Sequence, residues 1–168
     1  ATIRFYARAA PDVARLPSFA ILRDPVERFV SAYHYGRAGG ASDNLITPAF
    51  RGRYRRFASL DDAIDHVEHA GSPYAIDHIF RPQSWYVTDA AGRLAVDRLF
   101  AFADLPRLGA LVPQIGGGIG FLNRGQGAAG RLRADGLTPA QVARIEHLYA
   151  ADRALIAAAS DPGNRLLA

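Results

Sequence analysis

Arg23 closes the apolar stretch "FAIL" (19–22), an Asp24-Pro25 turn follows, and Ser31 stands eight residues beyond the arginine. Arginine carries a permanent charge on a planar fork that matches a phosphate. The stretch before it reads as a strand and the stretch after it as a helix. Open α/β sheets bind ligands outside the carboxyl ends of their strands. The amides and dipole of a helix N-terminus favour an anion at the same place. Ser31 falls about two turns along the helix on its polar side, where a hydroxyl can donate to that anion. The chemistry implied is the holding of a phosphate by Arg23 and Ser31. The same residues also read as an ordinary capped helix whose arginine pairs with Asp24 or Glu27, and the residues alone leave both readings open.

A second candidate is His78, beside Asp77 and ahead of Arg81-Pro82-Gln83. A histidine with a pKa near 6.5 can take a proton from a hydroxyl; a structural histidine bonded to backbone is the other reading. His66 and His69, three apart on a helix, permit metal binding. No third ligand is evident, so they read as surface histidines and no metal is expected. Arg51, Arg53, Arg55 and Arg56 surround Tyr54 in "RGRYRRF". As a loop, that stretch can bind an acidic sugar chain or RNA, or is simply solvated. "GQGAAG" (125–130) fits G-x-G-x-x-G, but no helix follows it, which argues against a dinucleotide site.

The elements that must position these groups are short. Residues 2–10 read as a short helix or a strand, with helix the expectation, and "SFAIL" (18–22) as a short buried strand, apolar on both faces as in parallel sheets. Asp24 as cap, Pro25 at the first helical position and Glu27 three after Asp24 predict a helix over 25–36, with Val26, Phe29, Val30 and Tyr33 on its apolar face. Residues 37–58 read as a long loop. "SLDDAIDHVEHA" predicts a helix capped by Ser59, with Leu60, Ala63, Ile64 and Val67 on one face. Residues 75–92 read as a short turn or helix and then a strand into a turn, and "VDRLFAFADL" (96–105) as a second buried strand before a short helix. Residues 116–136 read as loop. Thr138, Pro139 and Gln141 open a final helix expected to reach about 159. Short apolar strands alternating with amphipathic helices predict an α/β fold with a parallel sheet flanked by helices.

Bulk properties set the bounds. The chain has 168 residues, 49% of them hydrophobic and 21% charged, which suits one globular domain. No apolar run approaches the roughly 20 residues of a membrane span, and no signal peptide is visible. Cysteine is absent, which rules out disulfides and thiolate chemistry. A reducing, cytoplasmic location is expected. All 20 basic residues are arginine, so no site here can use a lysine. The net charge of +4 suits an anionic ligand and is too small to indicate nucleic acid. Methionine is also absent, position 1 included, so the chain is expected to be a processed form or a piece of something longer.

"RDPVERFVSAY" (23–33) resembles, without a gap, the 3′-phosphate-binding segment of sulfotransferases, the carbohydrate (membrane-type) family above all. "DHIFRPQSWYV" (77–87), "RLFAFADL" (98–105), "LNR" (122–124) and "LTPAQVARIEHLYAADRALI" (137–156) are similar to further segments of that family in the same order. The last carries a Tyr-x-x-Asp at Tyr149 and Asp152. "GAAGRLR" (127–133) resembles the glycine-rich nucleotide segment of cytosolic members, with arginine in place of lysine.

The resemblance implies a P-loop-kinase-related fold and transfer of a sulfuryl group from 3′-phosphoadenosine 5′-phosphosulfate (PAPS) to a hydroxyl, expected on a carbohydrate. Arg23 and Ser31 would hold the 3′-phosphate and His78 would serve the acceptor. The family's lysine-containing phosphate loop has no counterpart here. The expectation is therefore a single sulfotransferase-like domain over 1–168 without its first β–loop–α unit. Two other outcomes are a non-catalytic nucleotide-binding remnant and a basic module binding anionic polymers through residues 51–56.

Overall fold

The first strand ends where the sequence places it, on Leu22. The structure, a computed structural model, describes residues 2–40, 46–111 and 132–160. Its elements are α1 (Ile3–Ala9), α2 (Pro11–Ala14), β1 (Phe19–Leu22), α3 (Pro25–Ala38), α4 (Pro48–Arg55), α5 (Leu60–Glu68), α6 (Ser84–Val87), β2 (Arg98–Ala101), α7 (Leu108–Leu111), α8 (Pro139–Leu148) and α9 (Ala150–Ser160). Short 3₁₀ turns lie at Pro73–Ala75, Phe102–Arg107 and Ala134–Gly136. The architecture is mixed α/β, and the chain divides into two units, each built from separated stretches.

The first unit contains described residues 2–24, 82–111 and 151–160. β1 and β2 pair in parallel, with Phe19 opposite Arg98 and Leu22 opposite Ala101. The pair is pinned at its start, where Ser18 donates to Asp97 Oδ2 from its amide (2.7 Å) and from its hydroxyl (2.9 Å). Those donors hold the Asp97 carboxyl below its usual range. The strands are less buried than the sequence predicts: Leu22 is 2% exposed, Phe19 39%. Arg4 of α1 reaches α6, donating to the Thr88 carbonyl at 2.9 Å and covering the Trp85 ring at 4.8 Å.

The second unit contains described residues 25–40, 46–81 and 132–150. α3 packs on α4, α5 and α8, and α5 packs on α8. The predicted apolar faces are the buried ones: Val26, Phe29, Val30 and Tyr33 on α3, and Leu60, Ala63, Ile64 and Val67 on α5. Phe29, Tyr54, Phe57, Phe80 and Tyr149 form an aromatic cluster, with Phe80 edge-on to Tyr54 at 5.2 Å. Ser59 and Asp62 make a reciprocal capping box at the start of α5. Thr138 and Gln141 do the same for α8.

α3 closes in a Schellman arrangement, with Gly40 N–H bonded to the Tyr35 carbonyl and Gly39 N–H to that of Gly36. Gly39 supplies the left-handed residue at φ 85°. At Gly36 a Cβ would sit 3.3 Å from Tyr54 Cβ, so glycine there permits the close approach of α3 and α4.

Three expectations are corrected. Residues 48–55 are helix, not loop, because Tyr54 is pulled into the core and its turn comes with it. Residues 84–87 are a short helix in place of a strand; extended backbone survives only in the Thr88–Leu94 bridge. The C-terminal helix is two helices, parted at Tyr149 (φ −117°, ψ 31°), where the buried ring donates its hydroxyl to the Phe80 carbonyl at 2.6 Å.

Candidate functional site

Arg23 sits directly after the last residue of β1, half-buried, at the carboxyl end of the parallel pair. Its backbone is gripped by one side chain. Gln83 Oε1 accepts from the Arg23 N–H at 2.9 Å, and Gln83 Nε2 donates to the Arg23 carbonyl at 2.8 Å. An amide closing on both backbone groups of one residue fixes the strand end as a further strand would.

Gln83 is in turn fixed by Asp152, which is fully buried. Asp152 Oδ2 accepts from the Gln83 N–H and Oδ1 from the Ser84 N–H, both at 2.7 Å. Charge-assisted bonds of that length are the strong ones. The next residue, Arg153, pairs with Asp24 at 2.8 Å. The Arg23 guanidinium lies over the Phe102 ring at 5.1 Å. Three stretches far apart in sequence, 22–24, 82–84 and 152–153, thus converge on one strand end.

His78 belongs to the second unit, as does Ser31, which is exposed on α3. Arg23 belongs to the first, so each is described where it stands. His78 Nδ1 lies 2.6 Å from Asp77 Oδ1. Asp77 is fully buried and also takes the Thr47 N–H (2.9 Å) and the Ile79 N–H (3.2 Å). Its own N–H donates to the Tyr54 hydroxyl at 2.8 Å. A carboxylate against Nδ1 keeps that nitrogen protonated and puts the ring's lone pair on Nε2. The arrangement can orient a proton acceptor, since the His78 side chain is 38% exposed while its anchor is not exposed at all.

Tyr54 is held in its neutral form. Burial, seconded by the Asp77 charge, pushes its pKa up to about 12. With a buried ring, it cannot stack on a base as the reading of 51–57 as an RNA-binding loop supposed. Arg53, Arg55 and Arg56 remain exposed at the end of α4.

Comparison with family models, curated proteins and solved structures finds no match to this chain. The site therefore rests on its own residues. Sequence reasoning singled out Arg23, Ser31 and His78 and gave no role to Gln83, Asp152 or Asp77. The first two lay in quoted segments, "RPQS" and "YAAD", whose partnership only folding reveals. Asp77 was visible as the neighbour of His78. Among the described residues no group of three His, Cys, Asp or Glu is placed to hold a metal ion. No helix among them is long and apolar enough to cross a membrane. Residues 125–130, 122–124 and most of 127–133, named above for their glycines and family-like sequence, lie outside the described residues.

Proposed function

We propose that the chain carries the 3′-phosphate-binding half of a P-loop-kinase-related sulfotransferase site, acting on PAPS and on the hydroxyl of a carbohydrate acceptor. The observation that supports this most is the gripping of Arg23 by Gln83 and Asp152. It ties together three of the segments on which the family resemblance stands, and it spends a buried carboxylate on holding an arginine's backbone at a strand's carboxyl end. An arginine needed only for solubility requires no such anchor.

In this reading Arg23 provides the fixed charge for the 3′-phosphate and Ser31 a donor hydroxyl. An arginine fork and a hydroxyl each have the chemistry to hold a phosphate, and neither needs lysine. His78, with its proton held on Nδ1 by Asp77, takes the proton of the acceptor hydroxyl at Nε2. General-base catalysis of this kind is worth about 10²–10⁴-fold.

The test is calorimetric titration of the chain with adenosine 3′,5′-bisphosphate, followed by transfer of labelled sulfate from PAPS to carbohydrate acceptors. Binding lost in Arg23→Ala and kept in Arg55→Ala supports the nucleotide reading. Binding without transfer identifies a non-catalytic remnant. If Arg23→Ala binds as the parent does while Arg55→Ala loses a heparin-like polymer, the basic-module reading replaces both.

A further inference from the structure

Arg23 has a carboxylate as its next neighbour in the chain, Asp24, whose charge opposes any anion brought to the arginine. The structure supplies Asp24 with a second cation. Arg153 Nη1 lies 2.8 Å from Asp24 Oδ2, with the two side chains 40% and 37% exposed. A pair that is partly buried is screened less by salt than one standing free in water. Arg153 is delivered there by its neighbour. Asp152 is fully buried and accepts from the Gln83 and Ser84 amides. Gln83 in turn grips the Arg23 backbone. One run of buried bonds therefore brings Arg23, Asp24 and Arg153 together, and all three lie in the first unit.

The charges decide what this corner can hold. Arg23 and Asp24 alone would cancel one another; Arg153 restores a net positive charge. The Arg23 guanidinium lies over the Phe102 ring, and Asp104, two residues past that ring, accepts from the Ala101 N–H at 3.2 Å.

We infer that Arg153 sets the anion affinity of the Arg23 site by acting through Asp24, balancing a carboxylate that would otherwise repel a phosphate. The inference rests on the reading of Arg23 as the receptor of the 3′-phosphate. It adds a residue from α9 that touches no ligand and positions charge for one that does.

The experiment is calorimetric titration of adenosine 3′,5′-bisphosphate, at low salt, into the full chain, Arg153→Gln, Arg153→Lys, Asp24→Asn and the double variant Asp24→Asn/Arg153→Gln. Arg153→Gln is expected to bind about tenfold more weakly, the effect of an unbalanced charge a few ångströms from a phosphate at a protein surface. Arg153→Lys, which keeps the charge, is expected to stay within about threefold of the parent. Asp24→Asn should bind at least as tightly as the parent, and the double variant should bind as Asp24→Asn does. Added salt should narrow the gap between Arg153→Gln and the parent. Parent-like affinity in Arg153→Gln overturns the inference and leaves the sulfotransferase reading standing. A double variant as weak as Arg153→Gln also overturns it, since the loss would then come from packing and not from the Asp24 charge. A parent that does not bind removes the reading and the inference together.

Discussion

Asp77 and Asp152 are both fully buried carboxylates, one in each unit, and they are put to different uses. Asp77 sits beside an aromatic core and holds a titratable ring, His78, together with two amides. Asp152 holds amides: two backbone N–H groups at the start of α6 and, at 3.4 Å, the Gln83 side chain. The surroundings differ in the same sense. Every member of the buried hydrophobic cluster belongs to the second unit. Among the described residues, the first unit carries most of the exposed large apolar side chains, including Phe5, Leu16, Phe19 and Phe102. Burying a large apolar side chain is worth about 1.5–3 kcal/mol. The second unit is therefore stabilised by its core, and the first depends more on a few strong polar contacts.

Phe80→Ala tests the first half of that contrast. It removes a fully buried ring from the aromatic cluster and is expected to cost about 3–5 kcal/mol, measured by urea unfolding followed in the near-ultraviolet aromatic signal. A cost under 1 kcal/mol would mean the cluster is not the stabilising centre. Asp152→Ala tests the second half. It strands the buried Gln83 N–H and the half-buried Ser84 N–H and should cost about 2–4 kcal/mol, read by fluorescence of the single tryptophan, Trp85, which lies in the same unit. Asp152→Asn, which keeps one acceptor, should cost roughly half as much. Equal costs for the two variants would show that charge, and not hydrogen bonding, is what Asp152 supplies.

Alkaline titration sharpens the role of Asp77's neighbour. A tyrosine in the unfolded chain ionises near pH 10, while folded Tyr54 keeps its proton until about 12. Its contribution is intact below pH 10 and declines as the pH climbs from 10 to 12. Tyr54→Phe should flatten that decline. The smallest effect is expected at the close of α3. Gly39→Ala forces an L residue into φ 85° and should cost about 1 kcal/mol, seen as a small drop in the unfolding midpoint.

What could be read from sequence follows the range of the interactions. α5 was legible because its signals are local: Ser59 and Asp62 cap it within one turn, and Leu60, Ala63, Ile64 and Val67 repeat at helical spacing. α4 was not, because three arginines and Gly52 obscure a pattern in which Tyr54 alone is fully buried, and that burial depends on Gly36 of α3. "SWYV" is rich in strand-favouring residues. It turns helical where Asp152, nearly seventy residues away, holds its first amides. The break at Tyr149 is hidden by an apolar repeat that runs through it. The site divides in the same way. Arg23 and His78 announce themselves by residue type and neighbours, whereas Gln83 acquires its role only when β1 and α6 meet.

The account depends above all on Arg23 as a held anion receptor, and titration of adenosine 3′,5′-bisphosphate into the parent chain, Arg23→Ala and Arg55→Ala addresses it directly. Saturable binding by the parent and by Arg55→Ala, with none by Arg23→Ala, is the predicted result. Binding by Arg23→Ala as tight as the parent's, or no binding by the parent, would contradict it.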